Sequence, residues 1–262
     1  MEHKKMEHKK ELVKEQPVVK KQPIVKEEHT IVKTQAIGRG FEESTDREDI
    51  ILPRASLLQA LSPEVIDGVE GCRPGIVINN ITQEALPEVF VPIFKWTEYL
   101  KFNPRDSKAD EFDPAFEASA LIWKTTTPTP EQLAECKFGE AGEKPAAMKV
   151  MNFLCYFVGV EMPIVLSFAK TSFKAGKKLI SLAQFSGGDM FSRKYKLQAR
   201  QAESNGNRYF IYEVGIVSKA NKEEFAIAES WYENFRGKEI KTHDEGLPES
   251  GEETVREGAR PY

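Results

Sequence analysis

The chain has 262 residues, and 37 basic side chains nearly balance 41 acidic ones, for a formal net charge of −4. An apolar fraction of 40% can build a core, while 30% charged residues indicate polar tails around it. The four histidines lie near the chain ends, at His3, His8, His29 and His243, which argues against histidine-dependent catalysis and against an imidazole-bound metal in the body. We therefore expect no enzymatic activity, no metal and no cofactor.

The cysteine count and the apolar runs indicate the compartment. Cys72, Cys136 and Cys155 form no CxxC pair, and three scattered cysteines fit a reducing environment. No apolar run reaches the roughly 18 residues of a membrane span, and the charged N-terminus has no secretion signal. The sequence predicts a cytoplasmic protein without a membrane partner.

Both ends of the chain are predicted to be disordered. Residues 1–44 form a basic arm that begins with two copies of MEHKK, and residues 1–36 hold nine lysines and six glutamates. A weak heptad-like helix is the alternative for this arm. Residues 237–262 form an acidic tail, in which 238–262 hold seven acids and four basic residues. Residues 45–236 remain as a single folded domain.

The elements of this domain follow from hydrophobic periodicity and turn residues. In chain order they are a short helix at 53–61, a strand at 75–82, one long strand at 88–102 or two strands broken at Pro92, a loop at 103–118, a strand at 119–125, a loop at 126–147, strands at 148–158 and 163–169, a helix at 172–185, strands at 193–202 and 208–217, and a helix at 221–235 with Asn221 as its N-cap. This order predicts a mainly β fold with α elements (α+β), an OB-like partly open Greek-key barrel. A generic α+β sheet is the alternative, and a doubly wound nucleotide-binding fold is disfavoured.

The long strand at 88–102 alternates between two kinds of side chain. Its apolar side is predicted to hold Phe90, Phe94, Trp96, Leu100 and Phe102. The other side holds Lys95, Thr97, Tyr99 and Lys101. Because a basic side chain flanks an aromatic there, Lys95, Tyr99 and Lys101 are candidates for binding nucleic acid. Core packing is an equally good interpretation of Tyr99.

Acidic residues cluster in the loop at 103–118. They are Asp106, Asp110, Glu111, Asp113 and Glu117. A two-metal nuclease would use such carboxylates, but no nuclease motif surrounds them, and the chain has no P-loop. A solvated loop is the favoured interpretation, and a nuclease is the weakest functional hypothesis.

Positive charge is concentrated over 170–200, which hold eight basic residues and one acid, Asp189. The basic residues are Lys170, Lys174, Lys177, Lys178, Arg193, Lys194, Lys196 and Arg200. If the helix extends back to Lys170, the four lysines share one helix face. A basic region of this kind in an acidic chain is typical of polyanion binding, with a solvated helix face as the alternative.

The strands at 193–202 and 208–217 flank Asn205-Gly206, a strong hairpin turn signal. A two-residue loop would place Tyr195 opposite Ile216 on an apolar side. The other side then carries Lys194, Lys196, Gln198, Arg200 and Tyr209. Basic residues with an aromatic suit phosphate binding and base stacking, whereas a solvated strand face is the alternative.

Three stretches resemble phage-encoded single-stranded-DNA-binding proteins of the OB-fold type. They are EDIILPRASLLQALSPEV at 48–65, GIVINNIT at 75–82, and SFAKTSFKAGKKLISL at 167–182 with the hairpin after it. The resemblance spans about 48–235 and implies a non-enzymatic protein of phage DNA replication and recombination in the host cytoplasm. It also implies that the acidic tail docks on replication or recombination proteins, although Arg256 and Arg260 interrupt the acidity.

The sequence therefore predicts binding of single-stranded DNA, largely without sequence specificity. The alternative is a scaffolding protein of a virion, whose basic surface binds a protein partner. A homo-oligomer is compatible with both hypotheses. The acidic tail is expected to compete for the basic region, so that deleting 238–262 should tighten DNA binding at low salt.

Overall fold

The computed structural model describes residues 51–140, 143–204, 206–237 and 240, which form an eight-stranded sheet with four α-helices. The strands are β1 (Arg54–Leu57), β2 (Val77–Asn79), β3 (Val89–Phe102), β4 (Leu121–Thr125), β5 (Met148–Phe157), β6 (Ile164–Phe168), β7 (Arg193–Ser204) and β8 (Asn207–Lys219). The helices are α1 (Pro63–Ile66), α2 (Pro130–Glu135), α3 (Phe173–Ser186) and α4 (Lys222–Phe235), with 3-10 turns at Lys170–Ser172 and Met190–Ser192. None of the helices in the described ranges is long and apolar enough to cross a membrane. The predicted arm lies outside the described residues, as does the predicted tail apart from Gly237 and Ile240.

The strand order is β2-β1-β6-β5-β3-β7-β8, and β4 pairs with the C-terminal part of β3. All neighbouring strands in this sheet are antiparallel except β1 and β6, which are parallel. The meander of β3, β5 and β6, then α3, then the hairpin of β7 and β8, follow the chain order of an OB-like barrel. The predicted mainly β, OB-like fold is confirmed.

The sheet curls until β8 lies beside β1, and side chains join these two strands. The Tyr212 hydroxyl donates to the Ala55 carbonyl at 3.1 Å. The Gln59 side chain accepts from the Phe210 N–H at 2.8 Å and donates to the Phe210 carbonyl at 3.0 Å. Since β1 and β8 are not ladder neighbours in the strand order, these bonds close a partly open barrel.

Two hydrophobic clusters lie on opposite sides of the sheet. Leu179 of α3 packs in the cluster that contains Phe153. Ala228 of α4 packs in the cluster that contains Leu154. Phe153 and Leu154 are consecutive residues of β5, so their side chains point in opposite directions. We call the two sides of the sheet the α3 side and the α4 side.

The predicted helix at 53–61 is wrong, because residues 54–57 form β1. This strand pairs with β6 in parallel and with β2 in antiparallel register. Leu, Gln and Ala favour helices, but this preference is weak and long-range strand pairing overrides it. The short helix α1 follows this strand, with Ser62 as its N-cap and Pro63 in its first turn.

The long strand at 88–102 is a single strand, β3, with a register shift between Pro92 and Phe94. Phe90 packs on the α3 side, while Phe94 and Trp96 pack on the α4 side. The prediction that Phe90 shares a side with Phe94 is therefore wrong. A β-bulge adds a residue to one strand and thereby reverses the alternation beyond it.

The segment 126–147, predicted as a loop, contains the short helix α2. Thr129 and Gln132 form a capping box, in which each side chain accepts a hydrogen bond from the other residue's backbone N–H. Pro130 occupies the first turn, where its missing N–H costs nothing. The other two predicted helices are confirmed as α3 and α4 to within a residue at each end.

Candidate nucleic-acid interface

The hairpin of β7 and β8 has the predicted register, with Leu197 opposite Val214. Gly206 adopts a φ of +81°, which a tight hairpin turn requires, while Asn205 lies outside the described residues. Leu197 and Val214 are buried on the α3 side, so the alternate side chains lie on the α4 side. These alternate residues include Lys194, Lys196, Arg200 and Tyr209, as the sequence predicts. Tyr209 is half-buried there.

Carboxylates of the same chain pair with the basic side chains of this hairpin. The ion pairs join Lys194 to Glu224 of α4 (2.9 Å), Lys196 to Glu88 (2.9 Å) and Arg200 to Glu213 (3.9 Å). Arg193 is half-buried at the start of β7. Each of these three cations already has a carboxylate of the same chain close to it, which weakens its attraction for an external anion.

The pair of Lys194 and Glu224 ties the hairpin to the first turn of α4. Burial raises the pKa of Glu224, but the backbone N–H of Asn221 and the Lys194 ammonium lower it by more. The pKa of Glu224 therefore lies below its ordinary value of 4.5, and the side chain is a carboxylate at neutral pH. Lys194 has a structural role as the partner of this buried charge.

Helix α3 carries its lysines on the other side of the sheet from those of the hairpin. Leu179 of α3 packs against the α3 side, whereas Lys194 reaches α4. The prediction of one continuous basic region over 170–200 is therefore wrong in its geometry. The side chains of β7 alternate between the two sides of the sheet, so proximity in sequence to α3 does not place them beside it.

Lys174, Lys177 and Lys178 are exposed on α3, and we call them the α3 lysine surface. The Lys177 ammonium lies 5.2 Å from the centre of the Phe173 ring. Within the described ranges, no carboxylate lies at ion-pair distance from these three lysines. Lys170 is exposed in the preceding 3-10 turn, so it is near this surface in sequence but outside the α-helix.

A close approach at Gly176 holds α3 against the sheet. A Cβ at this position would lie 2.6 Å from Met151 Cε and 2.9 Å from Phe168 Cβ. Met151 pairs with Thr97 of β3, and the side chains of paired residues point to the same side. The N-terminal half of α3 therefore lies over the part of the sheet where β3 carries its candidate residues.

Those candidates, Lys95, Tyr99 and Lys101, share the α3 side with Thr97 by strand alternation. Lys95 is exposed. Lys101 donates to Glu135 of α2 at 3.0 Å and is therefore paired within the chain. The half-buried Tyr99 ring has the Lys149 ammonium 5.6 Å from its centre. The structure thus brings Lys95 and Tyr99 to the same side of the sheet as the α3 lysine surface.

Lys149 is a basic residue of this side that the sequence prediction missed. It lies directly opposite Tyr99 in the pairing of β3 with β5, and it is exposed. Its alternation with Met151 and Phe153 along β5 predicts that the three side chains share one side of the strand. The sequence does not show that β5 pairs with β3, and without that pairing Lys149 cannot be placed beside Tyr99.

The acidic loop at 103–118 is organised by hydrogen bonds around a buried amide. Asn103 donates to the carbonyl oxygens of Asp113, Phe116 and Glu117 at 2.9–3.1 Å. The Asp106 and Asp113 carboxylates accept backbone N–H bonds within the loop, as expected for turns. Among the described residues, no group of three or more His, Cys, Asp or Glu side chains is arranged to hold a metal.

Two of the cysteines have thiols that are held in the protonated form. Burial raises the pKa of Cys155 well above its ordinary value. Burial also raises the pKa of Cys136, the Glu135 charge raises it further, and Lys149 opposes both. A nucleophilic cysteine needs a lowered pKa, so neither site has that property.

Comparisons with known proteins are consistent with a phage origin. The family model described as Pam3 phage gp34-like protein matches residues 20–241, which is most of the chain. The chain matches no curated protein and no solved structure. The family match begins inside the segment predicted as a basic arm and ends just beyond α4.

Proposed function

We propose, from the premise that the chain belongs to the Pam3 phage gp34-like protein family, that it binds single-stranded DNA largely without sequence specificity. In this proposal the α3 lysine surface holds phosphates, and Tyr99 offers a ring that has the Lys149 ammonium 5.6 Å from its centre, on the same side of the sheet as Lys95. The role is binding without catalysis, in phage DNA replication or recombination in the host cytoplasm. Replication or recombination proteins are the proposed partners of the acidic tail.

One observation carries the proposal, namely that the α3 lysines have no carboxylate partner in the described part of the chain. Lys194 and Lys196 of the hairpin each have such a partner at 2.9 Å. Three like charges on one helix face repel one another, and a phosphate backbone would relieve that repulsion. The fold supports the proposal by analogy, since OB-like barrels commonly bind oligonucleotides.

The test compares two sets of charge-neutralised variants in a fluorescence anisotropy titration. The ligand is a labelled single strand of about 30 nucleotides, with unlabelled duplex as competitor, at several salt concentrations. The first variant combines Lys174→Gln, Lys177→Gln and Lys178→Gln, which keep good helix formers on α3. The matched control combines Lys196→Gln, Arg200→Gln and Arg208→Gln on the hairpin.

We expect the wild-type protein to bind the single strand in preference to duplex, with an affinity that falls as salt rises. The α3 variant should bind about 10- to 100-fold more weakly at low salt, and its salt slope should be smaller by about 2–3. The hairpin variant should lose less than about threefold. A larger loss in the hairpin variant would place the interface on the hairpin, and equal losses would show that binding is not specific to the α3 lysine surface. Absence of wild-type binding at low salt would refute the function.

A second candidate function is assembly with other protein chains, and the exposed apolar residues of the edge strand β8 favour it. Ile216 and Val217 lie on this strand at the end of the sheet, with 47% and 48% of their surface exposed. Exposed apolar residues on an edge strand favour pairing with another chain. Light scattering would distinguish the candidates: a large stable oligomer without DNA affinity would support a scaffolding role.

A further inference from the structure

The last turn of α3 presents an aromatic ring almost fully to solvent. Phe185 is 89% exposed, more than any other large hydrophobic residue in the described ranges. A phenylalanine side chain can bury about 150 Å² or more, and the fold uses little of that area here. Gly187, with a φ of +67°, ends the helix directly after this turn.

Phe185 lies on the same face of the helix as the α3 lysine surface. Lys174, Lys178, Ser181 and Phe185 follow the spacing i, i+4, i+7 and i+11, which keeps them on one stripe. The opposite face, with Leu179 and Ala183, is buried against the sheet. At 1.5 Å per residue, Phe185 lies about 10 Å along the axis from Lys178. A single surface therefore presents several cations and then an aromatic face.

We propose that Phe185 is a stacking platform for an unpaired base of the strand whose phosphates the α3 lysines bind. This inference rests on the proposed function and adds to Tyr99 a second base contact, at a residue that the sequence prediction does not include. A single strand supplies closely spaced negative charges together with flat apolar faces. A duplex hides its base faces within the stack, so stacking on Phe185 would also favour single strands.

The charge of the helix decides between a nucleic acid and an ordinary apolar protein partner. Helix α3 contains three lysines and no acidic residue. A partner must therefore be anionic over the roughly 6 Å from Lys174 to Lys178 and must offer a flat apolar group about 10 Å farther along the helix axis. Single-stranded DNA meets both requirements along its whole length.

The experiment separates phosphate binding from base stacking. Affinities are measured by anisotropy for a labelled oligothymidylate and for an abasic strand of the same length, which keeps the phosphates but lacks bases. The variants are Phe185→Ala, Phe185→Leu and Phe185→Trp. Leucine keeps an apolar side chain without a ring, and tryptophan provides a fluorescent ring that stacked bases quench. Because Phe185 is exposed, all three variants should unfold at the wild-type urea midpoint.

We expect Phe185→Ala and Phe185→Leu to weaken oligothymidylate binding about five- to tenfold, with no change for the abasic strand. Phe185→Trp should keep its affinity and lose fluorescence with oligothymidylate only. Wild-type affinity for oligothymidylate in the alanine variant, or an equal loss for both strands, would overturn the stacking role alone. A wild-type protein that binds neither strand would overturn the proposed function as well and would favour an acidic, aromatic protein partner.

Discussion

Helices α3 and α4 both have 14 residues and cover opposite sides of the same sheet, but they differ in their N-terminal caps and in the charge of their first turns. In α4, Asn221 and Glu224 form a capping box, and Glu223 adds a second acid to the first turn. In α3, Ser172 makes no side-chain capping bond, and the first turn has no acid. Lys174 lies in the first turn of α3, where the helix dipole disfavours a cation. Natural proteins depart from such local rules at functional sites, so this difference is what the proposed DNA-binding role of α3 leads us to expect.

The largest expected effect tests whether α3 contributes to the stability of the protein through its buried face alone. Leu179→Ala removes a side chain that is fully buried in the cluster of the α3 side. We expect it to lower the free energy of unfolding by about 3 kcal/mol, because the vacated volume cannot be refilled. Urea denaturation measures the change, with Lys178→Ala as the exposed control, for which we expect a change within about 0.5 kcal/mol. A large effect of Lys178→Ala would show that the lysine surface also serves stability.

The next effect compares the N-caps of the two helices. Asn221→Ala should lower the free energy of unfolding by about 1 kcal/mol, because the Asn221 side chain accepts the Glu224 N–H at 2.8 Å. Ser172→Ala should change it by less than about 0.5 kcal/mol, since Ser172 makes no capping bond. Both variants are measured by the same urea titration. Similar losses in the two variants would remove the contrast between the helices.

Most of the fold could be predicted because its elements carry local signals. The capping box of α4, the turn of the hairpin and the two-sided apolar run of β5 all act over a few residues. The helix predicted at 53–61 failed because β1 is held by partners distant in the chain, Val77 and Val165. The predicted side of the sheet for Phe90 was wrong for a similar reason, since the alternation of side chains in the sequence does not reveal a bulge.

The candidate site could be predicted only in part, because a charge run does not specify which side of a sheet it occupies. Lys174 and Lys194 are 20 positions apart, yet they lie on opposite sides of the sheet. The ion pair of Lys196 with Glu88 spans more than 100 positions, so no local pattern reveals it. In the sequence, Phe185 resembles any other apolar residue of the predicted helix. Only its exposure in the structure identifies it as a candidate.

A smaller effect follows from the positive charge of α3, where one substitution should raise stability and weaken binding at the same time. Lys174→Glu places an acid in the first turn of the helix, so we expect the free energy of unfolding to rise by a few tenths of a kcal/mol. The same change should weaken single-strand binding by more than Lys174→Gln does, because it adds repulsion to the loss of a cation. Urea titration and anisotropy on the same preparation measure both quantities. A variant that is less stable, or that binds as the wild type does, would contradict a conflict between stability and binding in α3.

A last effect, which disappears in acid, concerns the pH dependence of stability that Glu224 on the α4 side contributes. The pKa of Glu224 in the folded protein lies below 4.5, so between the two values the unfolded chain binds more protons than the folded one. The stabilisation by this carboxylate is therefore complete above about pH 4.5 and is lost as the pH falls through the pKa of the folded state.

The variant Glu224→Gln keeps an oxygen that accepts the Asn221 N–H but removes the charge that pairs with Lys194. At pH 7 we expect the variant to be less stable by about 1 kcal/mol or less, and the difference should vanish in acid. The exposed Glu223→Gln is the matched control in urea titrations at several pH values. If its pH profile departs from the wild type as much as that of Glu224→Gln, the buried pair with Lys194 is not what couples the hairpin to α4.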